Sequence, residues 1–165
     1  MKKKIEILAP AKNLVQGIAA INSGADAVYI GAPLYGARSN ATNSVEDIAE
    51  LVKYAHLYNA QVFVVINTIL YDNELEPCRQ LIWKLYDIGV DALIIQDMAI
   101  MEMELPPIVL HASTQTNNRD ADKIKFLADA GIKRVVLARE LNLHQIKEIS
   151  EASDVELEFF VTGAL

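Results

Sequence analysis

The sequence predicts an incomplete TIM-type (β/α) barrel of about seven parallel strands with helices outside them and no eighth strand, forming one domain over residues 1–165. Three observations carry this expectation. Short β-branched runs alternate with longer segments of helical period, the pattern of parallel strands joined by crossover helices. Most of these runs are continuously apolar, so both faces of the sheet need cover. A helix-to-strand corner also recurs, as Gly24-Ala-Asp-Ala-Val-Tyr-Ile, Gly89-Val-Asp-Ala-Leu-Ile-Ile and Gly131-Ile-Lys-Arg-Val-Val-Leu. Recurrent units of this kind suit a barrel or a doubly wound sheet. A complete barrel takes about 250 residues, and seven strands without an eighth favour the barrel cut short.

The expected strands are residues 5–8, 27–30, 62–66, 92–95, 108–111, 134–137 and 155–161. Helix starts are marked by side-chain oxygens able to satisfy the unpaired amides of a first turn. Ser44 stands three before Asp47, Asn73 three before Glu76 and Asn142 three before Gln145, while Asn118 is placed to cap the helix of Ile124, Phe126 and Leu127. Gly24, Gly89 and Gly131 each end a helix, where a left-handed cap favours glycine. Pro106-Pro107 reads as a tight connection before the fifth strand, and no Gly- or Ser-rich linker divides the chain.

Composition narrows the function classes. A hydrophobic content of 52% with 22% charged residues excludes a disordered polymer. A net charge of -7 opposes a broad electrostatic grip on nucleic acid, so RNA contact needs a local patch or further sequence. The single cysteine, Cys78, closes no internal disulfide, and no long apolar signal segment precedes the first strand, which predicts a reducing, cytoplasmic setting. Apolar runs fall far short of the roughly 20 residues that span a bilayer, so no membrane association is expected.

In a (β/α) barrel the reacting groups sit at the C-terminal ends of the strands. The polar residues expected there are Arg38 after the second strand, Asn67 and Thr68 after the third, and Gln96 and Asp97 after the fourth. His111, Ser113, Thr114 and Gln115 follow the fifth, Arg139 and Glu140 the sixth, and Thr162 and Gly163 the seventh. The segment from His111 to Asn118 is the densest cluster, with an imidazole, hydroxyls and amides able to bind a polar or anionic ligand or to serve as an ordinary capped loop. Arg139 and Glu140 fit either a site or a structural ion pair, and Asp97 either a substrate contact or a helix-start acid.

His56 and His144 lie in helical patterns among charges and read as surface histidines. Cys78 has Arg79 beside it, which would lower its pKa, but no sequence-near histidine to activate it, so a structural thiol is the better reading. The Met98, Met101 and Met103 cluster reads as core filler. No zinc-protease helix, nucleophile elbow, Walker loop or dinucleotide-binding turn occurs.

Ile7-Leu-Ala-Pro-Ala11, the blocks Gly24 to Gly31 and Gly36 to Arg38, Asn67-Thr68, His111 to Gln115 and Arg134 to Leu141 resemble successive blocks of the collagenase-like peptidase family U32. The most specific match is Glu158-Phe-Phe-Val-Thr-Gly-Ala-Leu165, which resembles the start of the family signature. That signature continues into a cysteine and a Ser-Gly-x-Cys segment. Thr162 departs from it, standing where the family commonly has histidine.

The resemblance implies an N-terminal part of an enzyme. Some relatives carry a protease label; others hydroxylate RNA bases or ubiquinone precursors with a four-iron four-sulfur cluster, and in the RNA branch prephenate is implicated as hydroxyl source. One cysteine cannot supply such a cluster, so no cofactor is expected within these residues and the cluster belongs to the intact protein. What the residues here can offer is anion binding by Arg38 and Arg139, with Asn67 and Gln115 orienting the ligand. Iron-sulfur-dependent hydroxylation of an RNA base or a related aromatic substrate by the intact protein is the leading expectation, proteolysis or a non-catalytic accessory or binding module the rivals. Open barrel edges are expected to favour self-association.

Overall fold

The computed structural model describes residues 5–36 and 43–162. Seven parallel strands form one sheet in sequential order: β1 (Leu8–Ala11), β2 (Ala27–Gly31), β3 (Gln61–Ile66), β4 (Ala92–Ile95), β5 (Val109–Ala112), β6 (Arg134–Val136) and β7 (Glu156–Glu158). Between them run α1 (Leu14–Asn22), α2 (Val45–Leu57), α3 (Asp72–Asp87), α4 (Ala121–Asp129) and α5 (Leu143–Ala152). Short 3-10 turns at Met98–Glu102 and Thr114–Thr116 complete the β4–β5 and β5–β6 connections. The result is the expected open (β/α) barrel, with β1 and β7 as the two edges of the sheet.

The apolar runs are buried on both faces, as their lack of alternation requires. Ile30, Val62, Val64, Leu93 and Ile95 point outward and meet Ile48, Leu51, Ile82, Leu85 and Ile124 from the helices, all without solvent exposure. Each such side chain contributes roughly 1.5–3 kcal/mol by leaving water. The opposite face carries a smaller cluster of Ala27, Phe63, Ala92 and Ile94, with Leu8, Tyr29 and Val65 packed on it. That second cluster lies inside the barrel.

Capping follows the sequence at two of the four expected sites. The Ser44 hydroxyl accepts from the Asp47 amide at 3.0 Å while the Asp47 carboxylate accepts from the Ser44 amide at 3.0 Å. Asn142 and Gln145 repeat the exchange, both bonds at 3.0 Å. The other two sites are corrected. Helix α3 starts one residue before Asn73, because Glu74 reaches back to accept from the Tyr71 amide at 2.9 Å. Helix α4 is capped by Asp120, which accepts from the Lys123 amide at 2.9 Å. The three repeat glycines occupy the expected left-handed corners, at φ of 96°, 87° and 112°.

Six of the seven strands differ from expectation in extent, β2, β3 and β6 by a single residue at one end and β1, β5 and β7 by more. Strand β1 lies three residues further on and includes Pro10, tolerated because an edge strand leaves one side of its backbone unpaired. Strand β5 starts one residue late, because the Ile108 amide closes a turn onto the Pro106 carbonyl at 2.7 Å. Strand β7 stops at Glu158 because its neighbour leaves the sheet: the Leu137 amide still bonds Glu158, but the Ala138 amide turns to the Asn118 carbonyl at 3.0 Å.

Asn118 is fully buried and does more than a cap would. Its amide nitrogen donates to the Ser113 carbonyl at 2.9 Å and the Val136 carbonyl at 2.8 Å, while its oxygen accepts from the Thr116 hydroxyl at 2.7 Å. The loop after β5 is thereby tied to the end of β6. Asn118→Ala takes this donor from the buried Val136 carbonyl and leaves the Ser113 carbonyl to Thr116 alone, and is expected to cost about 1–3 kcal/mol, read as a lowered midpoint in urea denaturation.

Candidate functional site

Side chains alternate along a strand, so one residue in two faces the barrel interior. On β5, β6 and β7 the inward set includes His111, Arg134, Val136 and Glu158, with Ser113 and Phe160 continuing it past the strand ends. A cavity of about 780 Å³ opens at the C-terminal end of the sheet, lined from all seven strands or the turns that follow them. Tyr29, Val65, Ile94 and Val136 form its walls, and Lys12, Gln16, Asn67, Gln115 and Arg139 bring polar groups to it.

The residues singled out from the sequence divide into three groups. Asn67, Ser113, Gln115 and Arg139 line this cavity together with Thr114. The Asn67 amide donates to the Ser113 hydroxyl at 3.4 Å, and that hydroxyl also accepts from the Gln115 backbone at 3.2 Å. The Arg139 guanidinium lies over the Phe160 ring, 4.6 Å from its centre. Thr68, His111 and Glu140 have other surroundings. Thr68 donates to the Tyr35 carbonyl at 3.3 Å, and Glu140 pairs with Arg119 at 2.8 Å on the surface. His111 is buried below the cavity, edge-on to Phe63 with ring centres 4.8 Å apart. Arg38 and Gly163 lie outside the described residues.

Several other residues have structural or surface roles. Asp97 accepts from the Ala99 amide and the Leu70 amide, both at 2.9 Å, and so shapes the turn after β4. Cys78 lies on the buried face of α3, and burial, with Glu74 and Asp97 nearby, pushes its thiol up to about 11. Arg79 does not lower it, because its guanidinium is held by Glu76 at 2.8 Å. Met98, Met101 and Met103 pack against the core. His56 sits 3.1 Å from Asp91, and His144 is exposed beside Glu148.

Two charged residues of the interior were not anticipated. Arg134, only 12% exposed, bonds Glu6 at 2.5 Å and Glu156 at 2.8 Å and lies over the Phe63 ring. Glu158 points inward from β7, with Oε2 at 3.9 Å from the Arg134 guanidinium and no hydrogen-bond partner for that oxygen among the described residues. Burial, offset in part by Arg134 and reinforced by Glu6, lifts the Glu158 carboxyl to about 7. Period-two counting along 156, 158 and 160 puts these residues on one face, but only packing tells which face is inside.

The single cysteine lies on the helix side of the sheet, away from the cavity, and no group of three metal-ligating residues occurs among the described residues. These residues do not fit a four-iron four-sulfur cluster, which needs several thiolates.

An open barrel of parallel strands with a polar cavity at their C-terminal ends defines the (β/α) barrel class of ligand-binding and enzyme domains. The chain belongs to peptidase family U32, whose model matches residues 12–165. It is 57% identical over 162 residues to the 23S rRNA 5-hydroxycytidine C2501 synthase of Escherichia coli (strain K12), covering 98% of this chain and 25% of that protein. It is 38% identical to the tRNA hydroxylation protein P1 of Bacillus subtilis (strain 168), covering 99% of this chain and 40% of that one. An uncharacterized protease of Methanocaldococcus jannaschii is 40% identical, with 100% and 42% covered. The chain thus spans a quarter to about two fifths of these relatives. A solved U32 peptidase superposes with a TM-score of 0.79 over 96% of this chain and 69% of its own, at 14% identity, a likeness of fold. Among the described residues no helix is long and apolar enough to cross a membrane.

Two interior groups titrate in opposite senses. Burial, then Arg134, drives His111 from 6.5 to about 3, so its contribution to stability is full above pH 6.5 and is lost as pH falls toward 3. Glu158 rises from 4.5 to about 7, so its contribution is full below pH 4.5 and is lost as pH rises through 7. His111→Leu is therefore expected to lose less stability than the parent between pH 6.5 and 4, by on the order of 3 kcal/mol, measured as the difference in urea midpoints across that range.

Proposed function

We propose that this chain is the substrate-holding barrel of a protein that hydroxylates a base of RNA, with redox chemistry at an iron-sulfur cluster bound by residues outside these 165. The observation that carries the reading is the cavity itself. Its apolar walls and polar mouth, at about 780 Å³, suit one planar polar ring with an attached anion, and Arg139 and Lys12 supply the cations at that mouth. This is the local patch that a chain of net charge -7 needs for RNA contact or for an anionic co-substrate such as prephenate. Relatives named for rRNA and tRNA hydroxylation align along nearly all of the chain, which supports the same reading.

Proteolysis finds less support. Ser113 is a buried loop residue engaged by Asn67 and Gln115, and the imidazole of His111 packs against Phe63. Cys78 is on the other side of the sheet. No nucleophile stands beside a base in the cavity among the described residues.

Arg139 decides between the two readings. In cells whose only copy of the full-length protein carries Arg139→Met, hydroxylated nucleoside in digested RNA is expected to fall at least about 10-fold, since a charge-assisted contact contributes on the order of 1.5–3 kcal/mol. The melting temperature should stay within a degree or two of the parent. Unchanged hydroxylation, or peptide cleavage by the purified protein that disappears with the same substitution, would overturn the proposal.

A further inference from the structure

Glu158 is the one carboxylate among the described cavity-lining residues. It stands on β7 between the charged floor of the barrel and the mouth, two residues before Phe160. Its side chain is 18% exposed, and Oε2 is buried without a hydrogen-bond partner among the described residues. A buried polar atom left unpaired is costly, and a ligand that completes it gains accordingly.

The surroundings fix which chemistry can complete it. Arg134 on β6 is held by Glu6 and Glu156, so its 3.9 Å approach to Glu158 leaves the carboxyl partly uncompensated. His111 on β5, driven down to about 3, stays neutral at physiological pH and adds no charge. Lys12 and Arg139 are the remaining charges of the cavity, and both come from the mouth. A carboxyl whose pKa is lifted to about 7 is protonated in a large fraction of molecules, and then presents one O–H donor beside one carbonyl acceptor. Above it, the stacked Arg139 and Phe160 offer a planar cation and an aromatic ring, the pair on which unstacked bases rest in single-strand recognition.

The geometry points to Glu158 as the residue that reads the Watson–Crick edge of one unstacked base, cytosine fitting best, while Arg139 and Phe160 hold that base at the mouth. This rests on the RNA reading above and names the residue that would recognise the base. The carboxylic acid donates to cytosine N3 and accepts from the exocyclic N4 amine, two parallel hydrogen bonds that use the unpaired oxygen. Ionised Glu158 keeps the second bond and loses the first, facing the N3 lone pair with a negative charge. Cytosine is preferred because the relative with 57% identity is named for a cytidine product.

The test uses the full-length protein and a five-unit ribose-phosphate strand that carries a single central cytosine, against the same strand with no base. Fluorescence anisotropy gives the affinity of each. The cytosine is expected to tighten binding about 10-fold at pH 6, an increment set by one stack and two hydrogen bonds. That increment should shrink severalfold by pH 8.5 in the parent protein.

Glu158→Gln, which presents a fixed N–H donor and carbonyl acceptor, should keep the increment at both pH values. Glu158→Leu should cut it, at both pH values, to the share that the stack on Arg139 and Phe160 supplies. A full increment in Glu158→Leu, or a parent increment independent of pH, would overturn the role of Glu158 while leaving RNA binding standing. Failure of the parent to bind either strand would overturn the RNA reading as well.

Discussion

The guanidinium of Arg134 joins elements that the sheet's own hydrogen bonds cannot. It starts on β6, bonds Glu156 on neighbouring β7, and reaches Glu6 just before β1, the strand at the far edge of the sheet. Because the sheet is open, backbone pairing holds β1 only through β2, and the ionic contact closes the N-terminal end of the interior that hydrogen bonding leaves apart. Three carboxylates gather round this one buried guanidinium, Glu6 and Glu156 with solvent access and Glu158 without much of it, and a buried charge is costly unless geometry compensates. Here two carboxylates take the strong contacts, and the third, Glu158, is left with the weak one. Burial raises the Glu158 carboxyl, and the ionic contact at the N-terminal end of the barrel limits how far Arg134 brings it back down.

The same arrangement separates two environments along the barrel axis. Below, Phe63, His111 and Arg134 form a floor in which the imidazole stays neutral and the aromatic ring lies against both neighbours. Above, the walls turn apolar through Val65, Ile94 and Val136 before amides and cations appear at the mouth. From the mouth inward the lining thus passes from amides and cations through apolar walls to the charged floor. Parallel strands allow that gradient because every second residue of each strand contributes to it at successive depths.

Much of this was legible in the residue pattern. Unbroken apolar runs with glycine-marked corners fix parallel strands between helices, and the glycines indeed carry the positive φ those corners need. The strand-end positions of Asn67, Ser113, Gln115 and Arg139 followed from the topology alone. What escaped was of another kind. Pro10 reads as a break, yet an edge strand accepts it. Asn118 has the composition of a cap and the position of one, but Asp120 stands closer to the helix and takes the role. Glu158 belongs to the strand most resembling the family signature. Its inward direction follows from how β7 packs, and the weakness of its contact with Arg134 from that guanidinium being engaged elsewhere, long-range facts that no local spacing encodes.

Asn118 also bears on how such a chain can change over generations. By clamping the carbonyls of Ser113 and Val136 to one amide, it makes the β5 loop and the end of β6 a single rigid piece, and Ala138 in turn leans on Asn118. Insertions between residues 113 and 118 would pull apart a buried three-way junction, so new length finds no room there. The start of α5 has no such junction: Leu143 is 80% exposed, and the capping exchange between Asn142 and Gln145 is entirely local. Variation in length should therefore gather ahead of α5 and spare the β5 loop, leaving one side of the cavity constant while the surface beside it diversifies.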